Sequence, residues 1–155
     1  MSEVQQPVFS IEKVYVKDLS LEVPNAPQVF LQAEAPQLEV QLTNASQSID
    51  GVLFETSVTV TVTAKVGDKT LFLVEVVQAG IFQIRGIPEG ELPAVLGIVC
   101  PNVLFPYARE TISDVVNRAG FPPVLLAPVN FEVIYQQQAA SAAQANGGSR
   151  IEIAH

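Results

Sequence analysis

Val52–Gln78 reads VLFETSVTVTVTAKVGDKTLFLVEVVQ, and its alternation decides the fold. Val52, Phe54, Val58, Val60, Val62, Ala64 and Val66 fall on one parity, with Glu55, Ser57, Thr59, Thr61, Thr63 and Lys65 on the other. A period of two marks a half-buried strand, and β-branched residues suit its pleated surface. Gly67-Asp68 supplies a tight turn and the chain returns through Thr70 to about Gln78, so a long antiparallel hairpin is predicted. The returning strand is apolar on both faces. Phe72, Val74 and Val76 point one way and Leu71, Leu73 and Val77 the other, leaving Glu75 in an otherwise apolar patch. One side is expected to enter the subunit core and the other to meet something else.

Upstream, Val8 to Val23 also alternates. Phe9, Ile11, Tyr15, Leu19, Leu21 and Val23 share one parity, and Asp18, Ser20 and Glu22 share the other with Val14 and Val16, so Asp18 and Glu22 face the same way. Pro24-Asn25-Ala26-Pro27 stops that strand, because proline cannot continue a ladder. A further strand centres on Leu38, Val40 and Leu42, alternating with Gln37, Glu39, Gln41 and Thr43, and Asn44 to Gly51 is expected to be loop. Downstream, Gly, Pro and apolar runs replace the alternation from Gly80. A helix is expected from Pro93 to Cys100, halted by Pro101, with Glu89 and Glu91 favouring its positive end. A second, longer helix includes Tyr107 to Ala119, with Leu104, Ala108, Ile112, Val115 and Ala119 on one stripe. Gly120 and Pro122-Pro123 end it, Phe121 to Asn130 forms a proline-rich apolar loop, and Asn130 caps a last helix starting at Phe131. The fold class is therefore α+β. Residues 1–7 are expected to be flexible and 8–138 to form one domain, with 139–155 a low-complexity, partly disordered tail that frays from about Asn146.

In 155 residues, 48% hydrophobic content against 15% charged excludes disorder and leaves little polar surface to cover a lone sphere. A net charge of −8 without a basic run excludes the electrostatic footprint for nucleic acid or an anionic membrane and favours a basic partner. Cys100 is the only cysteine, and His155, the only histidine, stands at the very end. These counts exclude an intramolecular disulfide, a Ser-His-Asp or Cys-His nucleophile and a multi-histidine metal site, so no catalysis, cofactor or metal is expected. Cys100, flanked by Ile98-Val99 and no cation, reads as a buried structural thiol. MSEVQQPVFSIEK lacks the basic and apolar regions of a signal peptide, and the uncharged stretch Leu92 to Ala108 is short for a membrane span and broken by three prolines, so a cytoplasmic location is expected. Asp18, Glu22 and Glu75 read either as solvated sheet surface or as a docking site for a basic partner. The Phe121–Pro128 loop either covers the core or lines a binding groove. From the residues alone this is an acidic binding protein of unknown ligand, with a small-ligand carrier or a structural oligomeric subunit as alternatives.

Four blocks carry a resemblance. Val16-Lys17-Asp18-Leu19-Ser20-Leu21-Glu22-Val23-Pro24-Asn25-Ala26-Pro27 comes first, then Gly80-Ile81-Phe82, then Cys100-Pro101-Asn102-Val103-Leu104-Phe105-Pro106-Tyr107-Ala108-Arg109-Glu110, then Leu126-Ala127-Pro128-Val129-Asn130-Phe131. In this order and spacing the chain resembles the SecB family of bacterial protein-export chaperones over about residues 8 to 138. The resemblance implies a four-stranded antiparallel sheet with helices packed on one side, assembled as a homotetramer, a dimer of dimers. It implies an ATP-independent cytosolic holdase that keeps precursor proteins unfolded and delivers them to the SecA translocation ATPase. Asp18, Glu22, Leu73 and Glu75 match the family's SecA-contacting sheet face. Phe30, Val40, Leu42, Leu125 and Leu126 are assigned to the client groove, and Phe72, Val74, Val76, Ala108, Ile112 and Val115 to oligomer or client packing. Glu34 stands in a region that is aromatic in some members.

Overall fold

Alternate residues of Leu53–Val66 disappear from solvent: Phe54, Thr56, Val58, Val60, Val62 and Ala64 are all buried. The computed structural model describes residues 6–144 and 151–154. Four long strands, β1 (Val8–Glu22), β2 (Gln37–Asp50), β3 (Leu53–Val66) and β4 (Lys69–Arg85), and a short β5 (Ile151–Ala154) make one antiparallel sheet in the order β1-β4-β3-β2-β5. The expected hairpin of β3 and β4 turns at Gly67-Asp68, where Gly67 has φ 58°.

Three expectations about the strands are corrected, two of extent and one of parity. The segment read as loop from Asn44 continues β2 to Asp50, held by its ladder to β3 and by a 2.7 Å hydrogen bond between the Ser46 and Thr56 hydroxyls. Polar residues can stay in a strand when the neighbouring strand satisfies their backbone. The run from Gly80 likewise stays in β4 as far as Arg85. Two register shifts in β1, between Ile11 and Lys13 and between Val16 and Asp18, break the single parity expected there. Tyr15 consequently sits across from Ala79 on the bare face, while Val14 and Val16 sit across from Gly80 and Gln78 on the helix-backed face. After the second shift the parity reverts, so Asp18 and Glu22 do share a face, as expected.

The two helices expected on either side of Pro101 are one helical run. A 3-10 turn (Glu89–Glu91), α1 (Leu92–Ala94), a π-helical turn (Val95–Val99) and α2 (Cys100–Arg118) follow without a break. Pro101 follows the π-helical turn directly, one residue into α2, and Pro106 lies inside the helix with its ring exposed. The run Glu89–Arg118 is long and apolar enough by length and composition to cross a membrane, which the expectation from Leu92 to Ala108 did not allow. Its apolar stripe is nonetheless committed to the sheet: Cys100, Leu104, Phe105, Ala108, Ile112 and Val116 are buried in the core with β3 and β4 residues. Gly80 permits the approach, since a Cβ there would stand 2.9 Å from Leu104 Cδ2 and 3.1 Å from the Lys13 carbonyl oxygen. α2 closes with Phe121 N–H bonding the Val116 carbonyl and Gly120 N–H that of Asn117, a left-handed cap that Gly120 permits with φ 95°. α3 (Phe131–Gln144) starts where Asn130 Oδ1 accepts a 3.1 Å bond from Val133 N–H, as expected of its cap. Of the tail expected to fray from Asn146, Ile151–Ala154 instead form β5, while residues 145–150 and 155, like the N-terminal residues 1–5, lie outside the described residues.

Candidate functional site

The turn after β1 places the first candidate. Asn25 donates from its side-chain amide to the Thr70 carbonyl at 2.8 Å, tying this crossover to the start of β4. The Val29 and Phe30 amides bond the Asn25 and Pro27 carbonyls, forming the 3-10 turn Gln28–Leu31. Opposite, the Gly120 cap delivers Phe121 into the same space, and a Cβ on Gly120 would come within 3.0 Å of the Phe30 ring. The rings stack in series: Phe30 to Phe121 at 5.1 Å between centroids, Phe121 to Phe72 at 5.0 Å. Aromatic pairs at this spacing are each worth about 0.5–1.5 kcal/mol beyond their area.

Around this stack lies an open cavity of about 570 Å³, walled by Val29, Leu38, Leu71 and the Pro122–Leu126 segment among others, with Glu34 on its lining. Phe30, Leu125 and Leu126 are brought together here. Leu125 is 83% exposed and Phe30 49%, while Leu126 is buried in the wall. Leu31, just beyond, is 86% exposed. Exposed leucines beside a ring-lined hollow favour extended apolar side chains over any single rigid ligand.

Val40 and Leu42 are not part of that lining. Both are 3% exposed, on the helix-backed face of β2. Val74, Val76, Ala108 and Ile112 are fully buried where α2 meets the sheet, so their packing is within the subunit and not with a client or another copy. Val115 is half-buried beside that core, and Phe72, also buried, reaches the cavity through its contact with Phe121. Leu38 and Phe121 also line the cavity, Leu38 unexpectedly and Phe121 as the first residue of the loop read as a groove candidate. That the Phe121 ring faces inward depends on the helix cap, which the composition of the loop does not reveal.

The bare face of the sheet is the second candidate. Glu22 lies across from Leu73, Ser20 from Glu75 and Asp18 from Val77, so Asp18, Glu22, Leu73 and Glu75 form one contiguous patch. Asp18 and Glu22 are exposed on edge strand β1, and Leu73 and Glu75 are half-buried on β4. From β3, Thr61 Oγ1 donates to Glu75 Oε1 at 2.8 Å, orienting the carboxylate without neutralising it. Glu39, exposed on β2, ends the same crosswise row, Glu22–Leu73–Thr63–Glu39, three strand spacings or about 15 Å from Glu22.

Further along this face Glu55 gathers three donors. Lys17 Nζ is 2.8 Å and Gln47 Nε2 3.0 Å from Oε1, and the Tyr15 hydroxyl donates to Oε2. The bond from Lys17 and then that from Tyr15 hold the Glu55 carboxyl below its ordinary value. Burial, and then the bond to Glu55, push the Tyr15 phenol up to about 12. Glu55 thus contributes stability that is complete above its ordinary pKa of 4.5 and lost as pH falls through its lower folded value. Tyr15 contributes stability that is complete below its ordinary pKa of 10.0 and lost as pH rises toward 12. Thermal melting followed by circular dichroism should show Tyr15→Phe flattening the alkaline decline and Glu55→Gln weakening both limbs. An alkaline decline unchanged by Tyr15→Phe would contradict this origin.

Cys100 is buried beside Thr56, and desolvation pushes its thiol up to about 11, which keeps it protonated.

The structure is thus a helix-backed antiparallel sheet with an apolar, ring-lined cavity at one end and carboxylates on its bare face. The family model described as SecB, preprotein translocase subunit SecB, matches residues 2–142. The chain is 62% identical over 148 residues to the protein-export protein SecB of Methylobacillus flagellatus, covering 96% of this chain and 94% of the relative. It is 65% identical over 147 residues to that of Chromobacterium violaceum, covering 94% and 98%. Among solved structures, a SecB-like chaperone of Mycobacterium tuberculosis, in complex with a ChAD peptide from an antitoxin, shares the fold. The TM-score is 0.66 at 19% identity, over 78% of this chain and 90% of that one. The chain belongs to the SecB family of protein-export chaperones.

Proposed function

We propose that this protein holds unfolded precursor polypeptides in the cytoplasm without nucleotide and delivers them to the SecA ATPase, acting as a homotetramer built as a dimer of dimers. The observation that carries the client part is the cavity of about 570 Å³ floored by the Phe30–Phe121–Phe72 stack and rimmed by exposed Leu125. Such a surface accepts apolar side chains without reading a fixed sequence. The peptide-bound chaperone of the same fold lends it weight. No catalytic role and no cofactor belong to this reading.

For SecA we assign Asp18, Glu22, Leu73 and Glu75, where acids surround a half-buried leucine on a flat face. Self-association is supported by β1, a sheet edge whose helix-side residues Phe9, Ile11, Val16, Leu19 and Leu21 are all exposed. A long apolar edge is a template for pairing unless something covers it. Four chains of −8 each would carry −32, a field that draws in basic unfolded segments before apolar contact retains them. Residues 8–138 form the chaperone domain in this account, and 139–155 its tail.

The test is light scattering from a slow-folding precursor diluted out of denaturant, with no nucleotide present. Stoichiometric protein should suppress the aggregation, and raised salt should slow capture more than it weakens the final complex. Aggregation that proceeds at the same rate with and without the protein would refute the holdase reading.

A further inference from the structure

The two edges of the sheet are treated differently. Along β1 the outer edge is bare among the described residues, whereas on β2 the outer edge is paired over Glu39–Leu42 with the tail of the same chain. The pairing is antiparallel, with Glu39 across from Ala154, Val40 from Ile153, Gln41 from Glu152 and Leu42 from Ile151. The tail sequence Ile-Glu-Ile-Ala alternates apolar and acidic residues, and in this register its isoleucines take the positions opposite Val40 and Leu42. A slip of one residue would instead set Glu152 against an apolar position, so the pattern specifies the register.

Where this edge lies gives the contact its meaning. Leu38, in the wall of the apolar cavity, immediately precedes Glu39, so an extended chain leaving the cavity along β2 runs straight into the tail strand. Four residues of pairing are few for a strand to hold by itself. Tethering supplies the rest, since only six residues, 145–150, separate α3 from the tail strand in sequence, and so short a covalent link keeps the local concentration of the tail high.

We propose that β5 is a built-in occupant of the β2 edge, paired when the chaperone is empty and displaced when an unfolded client extends from the cavity along β2. The inference rests on the reading of the protein as a holder of unfolded chains. A competitor of four residues excludes short or weakly matched segments but yields to a long client that pairs further and fills the cavity as well. It also turns occupancy into a change at the C-terminus, because loading frees Ile151–Ala154. If the tail holds the edge four-fifths of the time, clients bind about fivefold more weakly than to an open edge.

Hydrogen exchange on the full chain, empty and loaded with a denaturant-unfolded precursor, tests this together with the double variant Glu152→Pro/Ile153→Pro. Of two consecutive amides in a strand, one faces the neighbouring strand, so this pair of prolines removes the tail pairing whichever it is. In the empty wild type the Ile151–Ala154 amides should be protected and should lose protection on loading. In the variant the Glu39–Leu42 segment should exchange faster, and the precursor should bind about fivefold tighter. Precursor binding with unchanged tail exchange, or equal exchange at Glu39–Leu42 in both proteins, would overturn the proposal and leave the holdase reading standing. Failure of both proteins to bind the precursor would overturn the holdase reading and this device with it.

Discussion

Glu75→Lys should lower affinity for SecA by at least about tenfold, or roughly 1.4 kcal/mol, while capture of an unfolded chain stays within about twofold. Glu75 sits half-buried at the middle of the bare face, across from Ser20 and held by Thr61 Oγ1, so its carboxylate is aimed and not free to swing aside. Reversal removes one attractive charge from the proposed docking surface and adds a repulsive one beside Asp18 and Glu22, which a basic partner would feel as a slower on-rate and a faster off-rate. The cavity lies on other elements, the 3-10 turn at Phe30 and the loop after α2, and Glu75 is absent from its walls. Titration calorimetry against SecA and against an unfolded precursor separates the two effects. Equal loss of both would mean that the two surfaces act as one.

The complementary result is expected from Phe121→Ala. Phe121 is the middle ring of three, 5.1 Å from Phe30 and 5.0 Å from Phe72, and its removal breaks both ring contacts and deepens the cavity floor. Unfolded-chain affinity should fall about tenfold, since a ring's buried area and its stacking both contribute. SecA affinity of the empty protein should hold. Because Phe72 is part of the core, a cost to folding of about 1–3 kcal/mol is also expected, read as a lowered melting temperature. Phe121→Leu, which refills the space without the ring, should restore most of the stability and only part of the binding. Full client affinity in Phe121→Ala would remove the cavity from the account.

What the sequence made legible follows from where one physical signal dominated. β3 alternates without interruption, and the β4 residues opposite it follow its register, so the hairpin and its buried face were readable from Val52–Gln78. The carboxylate patch was readable for a subtler reason: two register shifts in β1 cancel by Asp18, restoring the parity assumed for Asp18 and Glu22. Between the shifts the same reasoning misplaced Tyr15, because a bulge leaves no trace in an alternating pattern. The polar half of β2 read as loop because its burial is slight and its partner, not its composition, keeps it extended. Pro101 read as a helix stop, and the π-helical turn ahead of it, which lets the chain run on, has no sequence signature. Val40 and Leu42 were placed in the groove on hydrophobicity, which cannot distinguish a residue lining a cavity from one sealed beneath helices. Nor could it single out Phe121, which enters the cavity only because the Gly120 cap turns the chain back.

The central claim is that this chain, as an assembly, holds unfolded polypeptide by many weak apolar contacts and ignores folded protein. Native mass spectrometry tests it most directly, on the protein mixed without nucleotide with a slow-folding precursor diluted from denaturant and, separately, with the same precursor prefolded. The account predicts a tetramer carrying one unfolded chain and an unoccupied tetramer beside the folded one. A monomer or dimer, or equal occupancy by folded and unfolded precursor, would contradict it.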